Sequence, residues 1–226
     1  PIPTSTGYSN ILINNGDISN KGVEVGLNFD VISNDDIQLS VGGNIAFNRT
    51  KLESLGVPQS ELFIDGLAQQ RSFFYGNRVS NGQIFNSQPN IFVEGEETSL
   101  FYGFETDGIY QTNDTDIVPG SLPGDVRIID QNNDGVIDTD DLTFIGNPNP
   151  DFIYGLNLNF KYKRLNISML FNGVYGNDIA NGNLLTIGNA SGQFQNISSD
   201  SYYNAWREDA PSNTHPRIGY DTVGDI

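Results

Sequence analysis

The sequence predicts an all-β fold that forms part of a transmembrane antiparallel β-barrel. Four long segments alternate apolar and polar residues, two short turns join these segments in pairs, and long polar stretches follow the second and fourth segments. The composition agrees, because 25 Gly, 14 Phe and 10 Tyr are typical of β-structure with large loops. A barrel strand needs about 9–11 residues to cross a bilayer, and each segment is long enough.

The predicted strands each have one apolar and one polar face. They cover about 17–31, 37–47, 152–162 and 165–175. In the first strand the odd-numbered residues from Val23 to Val31 are apolar, and in the third the even-numbered residues from Phe152 to Tyr162 are apolar. Successive side chains of a strand point to opposite faces, so this alternation separates the two kinds of residue. The aromatic residues at both ends of the third strand are typical of the girdles at membrane interfaces.

The connections between these strands are unequal in length. Residues 33–36 and Lys163–Arg164 are short hairpin turns, whereas about 48–151 and about 176–226 are long loops. Short turns on one side and long extracellular loops on the other are the pattern of outer-membrane barrels. The strand pattern alone also fits a soluble extracellular β-sandwich that serves in binding or adhesion. The length of the first loop favours the barrel, because connections in soluble domains are usually short.

Charge and composition exclude several classes of function. The chain has 11 Lys and Arg against 28 Asp and Glu, and the net charge of −17 argues against nucleic acid and anionic lipid headgroups as ligands. The absence of cysteine and the single histidine, His215, exclude disulfides, thiol catalysis and metal sites built from Cys or His. We find no catalytic arrangement and expect no enzyme. His215 is predicted to lie on the surface and Trp206 to pack within a loop.

The first long loop contains a segment, Asp130–Asp141, that fits the twelve-residue calcium loop. Side-chain oxygens occupy the ligand positions, Gly135 stands where the loop turns sharply, and one position would use a backbone carbonyl. The predicted ligands are Asp130, Asn132, Asp134, Val136, Asp138 and Asp141. Oxygen ligands at this spacing favour structural Ca²⁺ over Mg²⁺, and the alternative is a solvated turn rich in Asp and Asn. The residues before the loop, Gly124–Ile129, are predicted to form a strand.

A series of short motifs runs in one order along the chain. They are Asn14–Glu24 (NNGDISNKGVE), Phe74–Gly76 (FYG), Phe101–Gln111 (FYGFETDGIYQ), Pro123–Asp138 (PGDVRIIDQNNDGVID), Ile145–Gly155 (IGNPNPDFIYG) and Gly173–Ile179 (GVYGNDI). Trp206 and the proline-containing segment up to Arg217 continue the series. In content and order these motifs resemble the SusC/RagA family, the TonB-dependent outer-membrane transporters of Bacteroidetes.

The resemblance implies a specific architecture and function. Members of this family are barrels of twenty-two strands with an N-terminal plug, and this chain is expected to be an internal section of the C-terminal half without the plug. A SusD-like surface lipoprotein covers the pore, and TonB energises import of oligosaccharides or peptides through the plug region. The barrel would lie in the outer membrane with its long loops outside, in contact with membrane lipid and lipopolysaccharide. Neither the motifs nor the composition indicates which glycan or peptide is carried.

Overall fold

The computed structural model describes residues 16–80, 86–187 and 196–218. The fold is all-β, as predicted. The strands are β1 Asp17–Ser33, β2 Ile37–Ser54, β3 Gln59–Ile64, β4 Leu67–Tyr75, β5 Val79–Ser80, β6 Asn86–Ser87, β7 Asn90–Val93, β8 Leu100–Phe104, β9 Thr106–Ile109, β10 Val126–Ile128, β11 Leu142–Gly146, β12 Phe152–Tyr162 and β13 Leu165–Tyr175. The helices are α1 Gly182–Ile187 and α2 Ser199–Asn204, and Thr139–Asp141 forms a 3₁₀ turn.

Strands β1, β2, β12 and β13 form one antiparallel sheet in that spatial order, which we call the long sheet. β1 ends at Ser33 and β2 at Ser54, so both are longer than the alternation in the sequence indicated. The two hairpin turns lie side by side at one end of the sheet, where the Lys163 amide donates to the Asp36 carbonyl at 2.9 Å. The Asn34 side chain accepts from the amides of Asp36 and Ile37 and thereby closes the first turn.

The register of the long sheet places apolar residues in rows across all its strands. One row consists of Phe29, Val41, Leu158 and Met169. On the opposite face, a neighbouring row consists of Asn28, Gly42, Asn157 and Leu170. The alternation predicted from the sequence therefore becomes one apolar and one largely polar face of a single sheet.

Residues 48–151, which the sequence indicated as one long loop, contain a second sheet. Strands β11, β8, β7, β4 and β3 pair in that order to form what we call the short sheet. Its core consists of Leu62, Ile91, Val93, Leu100 and Tyr102, all of them buried. These strands have at most nine residues, and their apolar runs are too short to be told from packed loops by periodicity.

The segment after β13 contains less regular secondary structure than residues 48–151; its helices are α1 and α2. Of the two predicted long loops, residues 81–85, 188–195 and 219–226 lie outside the described residues, as do Asn14 and Asn15 of the first motif. Among the described residues, no helix is long and apolar enough to cross a membrane.

Candidate functional site

The apolar face of the long sheet is exposed on its outer strands and half-buried on its central strands, for example at Val41 and Leu158. Leu27 is 57% exposed and Phe29 is 61% exposed in β1, and Phe171 is 54% exposed in β13. Every buried hydrophobic residue among those described lies outside the stretches 17–47 and 152–175. An apolar patch that extends across four strands needs an apolar cover, because soluble monomers rarely expose patches larger than a few hundred Å².

Aromatic side chains border this face at both ends. Phe152 stacks on Tyr175 with ring centroids 4.9 Å apart and contacts Phe47 at 5.7 Å. At the hairpin end, the Lys163 ammonium lies 5.4 Å from the centroid of the Tyr162 ring. The ten steps from Phe152 to Tyr162 measure about 33 Å along a strand, and a tilt of about 40° reduces this to about 25 Å. That height equals the apolar band of outer-membrane barrels, which aromatic girdles flank.

The opposite face carries asparagine and glycine in an interlocking pattern. A Cβ added at Gly42 would lie 2.2 Å from the Oδ1 atoms of both Asn28 and Asn157. A Cβ at Gly155 would lie 2.4 Å from Asn44 Oδ1. The glycines therefore give the amides of neighbouring strands room to lie across the sheet. The surface around these residues is polar, which suits the water-filled interior of a barrel.

The short sheet supports the segment Asp130–Asp141, which we call the acidic loop. The turn between β3 and β4 packs so closely on the loop that a Cβ at Gly66 would lie 2.4 Å from the Gln131 carbonyl oxygen. Gly66 has φ +71°, which favours glycine for a second reason. Thr143 in β11 donates its hydroxyl to Asp65 at 2.6 Å and secures the same turn. The acidic loop thus rests on a packed sheet and has a fixed base.

The first half of the acidic loop is organised by side-chain oxygens that accept from the backbone. Asp130 accepts from the amide of Gly135 at 2.7 Å, and Asn132 accepts from the amide of Asp134 at 2.9 Å. Asp134 in turn accepts from the Val136 amide at 2.8 Å. Gly135 has φ +85°, as the sharp turn at that position requires. These contacts give the loop the tight curvature that the twelve-residue pattern predicts.

The second half of the acidic loop is held by Asp141. Its side chain is fully buried, and its two oxygens accept from the amides of Gln131 and Asp138, both at 2.9 Å. One carboxylate therefore connects the start and the end of the loop. Burial, together with the neighbouring carboxylates of Asp138 and Glu61, raises the pKa of Asp140 above its ordinary value. The loop therefore lies in a region of negative potential.

The predicted calcium ligands all lie in this one loop. In the part of the chain that the structure describes, no three acidic or histidine side chains are gathered closely enough to hold a metal ion as they stand. The donor set still fits Ca²⁺, because it consists of oxygens and a carboxylate oxygen that accepts one hydrogen bond keeps a second lone pair. The assignment of Asp130, Asn132, Asp134, Val136, Asp138 and Asp141 as ligands stays a prediction.

A second braced region was not indicated by the sequence. Asp125 is fully buried and accepts from Arg217 Nε at 2.6 Å, although the two residues are 92 positions apart. The Trp206 indole donates to Gln111 at 2.9 Å, so this side chain is engaged in packing the loops. His215 lies near the surface, with Nε2 3.2 Å from Asp200 Oδ2. No local pattern could have paired Asp125 with Arg217, because only the tertiary fold brings them together.

Three comparisons relate the chain to known proteins. The TonB-dependent receptor P3 of Formosa agariphila is 32% identical over 223 residues, which is 96% of this chain and 20% of the receptor. The TonB-dependent receptor SusC of Bacteroides thetaiotaomicron is 24% identical over 169 residues, which is 74% of this chain and 15% of SusC. A solved structure of the RagAB peptide transporter matches with a TM-score of 0.64 at 22% identity, covering 97% of this chain and 22% of that chain. No family model matches.

The chain is a homologue of TonB-dependent receptors, SusC among them. It spans about a fifth of the length of the curated relatives it matches. The match to RagAB shows the fold, in which the long sheet is a section of antiparallel barrel wall. Within the described residues the sheet is open, with β1 and β13 at its edges. The sequence identity to these receptors and the match in fold therefore agree with the resemblance that the motifs indicated.

Proposed function

We propose that the chain supplies wall strands and extracellular loops to an outer-membrane importer of oligosaccharides or peptides. TonB energises the import, and a SusD-like lipoprotein covers the outer end of the pore. The chain would catalyse no reaction; it would form part of the transport path and of a surface that binds the transported molecule. The observation that carries the proposal is the exposed apolar face of the long sheet, whose height between aromatic rows matches the apolar band of an outer membrane.

The two faces of the long sheet support this assignment in different ways. The face with Phe29 and Leu158 would contact lipid acyl chains, where exposed apolar residues are favourable. The face with Asn28 and Asn157 would line the interior, where its amides can bind water and polar substrate. Open edges are not tolerated in lipid, so β1 and β13 would pair with further wall strands of the full receptor.

The alternative function is that of a soluble extracellular β-sandwich stabilised by calcium. A sandwich buries the apolar face of one sheet against a second sheet. The short sheet does not serve this purpose for the described residues, because its own core of Leu62, Ile91 and Val93 is separate from the apolar face of the long sheet. The long sheet is thereby left without the cover that a sandwich requires.

The relatives support the partners and substrates of this proposal. The RagAB structure is that of a peptide transporter, and SusC is a TonB-dependent receptor. For this chain we propose either peptide or oligosaccharide cargo. The short sheet and the acidic loop would form part of the surface on which the lipoprotein lid docks. Both lie in the segment that connects β2 to β12 at the end of the long sheet opposite the hairpin turns.

Fractionation of the full receptor tests this function. We expect it in the outer-membrane fraction, soluble only in detergent, and migrating faster on electrophoresis before heating than after, as closed barrels do. Capture with an affinity tag should bring a surface lipoprotein with it. A full receptor that stays monodisperse in buffer without detergent would establish the soluble alternative. Growth of a deletion strain on individual glycans and peptides then identifies the cargo class.

The proposal includes a structural Ca²⁺ ion in the acidic loop. Asp130, Asn132, Asp134, Asp138 and Asp141 would supply side-chain oxygens, and Val136 would supply its carbonyl. The ion would neutralise neighbouring carboxylates and hold the loop against the short sheet. Its chemistry would be that of a brace, without a part in any reaction.

Metal analysis of the full receptor tests this brace. The double variant Asp130→Ala/Asp134→Ala should lose about one equivalent of bound calcium and become cleavable by protease within the acidic loop. Asp116→Ala/Asp178→Ala is the matched control, because it removes two carboxylates outside the acidic loop and should retain the metal. Equal metal content and equal protease resistance in the first variant and in the native receptor would refute calcium binding.

A further inference from the structure

The lysines of this acidic chain occupy only the two ends of the long sheet. The sequence has four of them, Lys21, Lys51, Lys161 and Lys163. Lys21 and Lys51 lie in β1 and β2 beyond the aromatic row formed with Phe47. The other two lie in β12 and its hairpin turn. Long cationic side chains at both boundaries of an apolar band are typical of residues that extend toward lipid headgroups.

The end far from the hairpin turns carries its basic residues on the apolar face. In the register, Val23 pairs with Phe47, Lys21 pairs with Arg49, and Ser19 pairs with Lys51. The Lys21–Arg49 row is two residues past the aromatic row, or about 7 Å along the strands. Lys21 and Lys51 share the face with Phe47, because all three have odd numbers in paired strands without a register shift between them.

The carboxylates around this cluster satisfy some of its charges. Arg49 forms ion pairs with Asp151 at 2.7 Å and with Glu97 at 3.6 Å. Lys51 lies 3.9 Å from Glu53, and both side chains are about half exposed. Lys21 is exposed and forms no ion pair with any residue in the described ranges. Like charges directly opposite each other in a sheet are destabilising, and Arg49 of this pair already has two carboxylates within ion-pair distance, so the additional anion would be stabilising beside Lys21.

We propose that Lys21 and Lys51 bind the phosphate of an anionic lipid headgroup in the outer leaflet. This rests on the proposed function, because it requires the apolar face to contact lipid. We choose a lipid as the occupant because the basic rows directly continue the apolar face. A lipid whose acyl chains cover Val23 and Phe47 places its headgroup at the next rows outward. The net charge of −17 argues against anionic lipid as a ligand of the chain as a whole, whereas at this border Lys21, Arg49 and Lys51 lie together on the apolar face.

The hairpin end supplies a matched comparison. Lys161 pairs with Gln38 and Asn166, on the polar face that would line the barrel interior. Lys163 lies over the Tyr162 ring, in a turn whose neighbour carries Asp36. Lys161 therefore faces the interior, and Lys163 borders the apolar face at the end opposite to the Lys21–Arg49 row, away from the outer leaflet. Removing these two charges changes the net charge as much as removing Lys21 and Lys51, but it should leave headgroup binding intact.

Native mass spectrometry of the full receptor tests the site. The receptor is purified in an uncharged detergent and titrated with phosphorylated lipid A, with dephosphorylated lipid A, and with inorganic phosphate. We expect Lys21→Gln/Lys51→Gln to weaken binding of phosphorylated lipid A by about fivefold or more per lysine. Lys161→Gln/Lys163→Gln should change it by less than twofold, which is about the resolution of such a titration.

The arms of the experiment separate this inference from the proposed function. A receptor recovered in the outer membrane whose Lys21→Gln/Lys51→Gln variant binds lipid A like the native protein would overturn the inference and leave the function standing. Equal loss in the two double variants, equal binding of dephosphorylated lipid A, or full competition by inorganic phosphate would overturn it as well. Failure of the receptor to reach the outer membrane would overturn both.

Discussion

The long sheet and the short sheet are made of similar antiparallel strands but treat their apolar residues in opposite ways. In the short sheet, Ile91 is 0% exposed and Leu62 is 2% exposed, at the centre of a core of its own. In the long sheet, Leu27 and Phe29 are more than half exposed. The short sheet therefore gains stability from burial within the chain, whereas the long sheet needs a surrounding that is itself apolar.

The same alternation of apolar and polar residues therefore leads to two different structures. Strand length separates them, since the long-sheet strands have 11 to 18 residues and those of the short sheet have 4 to 9. A membrane-spanning strand must cross a fixed thickness, whereas a strand in a packed loop must only cover a small core. The following predictions, in decreasing order of expected effect, test whether the two sheets respond to substitution independently.

The largest effect is expected in the core of the short sheet. Leu62→Ala should destabilise the short sheet by about 2–5 kcal/mol, because it leaves a cavity in a closed core. In the full receptor we expect faster proteolysis between 55 and 146, with the barrel still resistant to denaturation by detergent. Leu67→Ala is the control, because Leu67 is 66% exposed. Loss of the barrel together with the short sheet would show that the two regions are not independent.

The next largest effect is expected from a charge on the apolar face of the long sheet. Leu158→Lys should cost about 2–4 kcal/mol near the middle of the bilayer. Its neighbour Asn159 lies on the polar face, so Asn159→Lys should cost less than about 1 kcal/mol. Folding into vesicles followed by urea titration measures both. Equal destabilisation by the two variants would contradict the assignment of the faces.

A smaller effect, which depends on pH, is expected from Asp114 in the loops. The hydrogen bond from the Gln111 amide, followed by contact with Arg127, lowers the pKa of Asp114 below its ordinary value. A group whose pKa is lowered in the folded state contributes stability above its unfolded pKa and loses it as pH falls through the folded pKa. Protease resistance of the loops should therefore decline below about pH 4 in the native receptor.

Asp114→Asn is the control for this pH dependence. The amide cannot carry the charge that Arg127 contacts, so the variant should begin less resistant and show a weaker decline below about pH 4. Limited proteolysis at a series of pH values, with an acid-stable protease, measures both curves. Identical pH profiles of the two proteins would show that Asp114 does not contribute.

Much of the long sheet could be predicted from the sequence, because its strands alternate over ten or more positions. The curvature of the acidic loop could also be predicted, since Asp130 and Gly135 act within one short segment. The strands of the short sheet could not, because runs such as Asn90–Val93 are too short for periodicity to identify. Contacts such as Asp125 with Arg217 depend on the completed fold.

The most direct test of the account is the alternation of the two faces of the long sheet in a lipid bilayer. The chain has no cysteine, so single cysteines can be placed at 156, 157, 158 and 159 in a full receptor free of other cysteines, and labelled with a fluorophore. We predict that a lipid-soluble quencher acts at 156 and 158 and that a water-soluble quencher acts at 157 and 159. Equal access of the water-soluble quencher to all four positions would contradict the wall assignment.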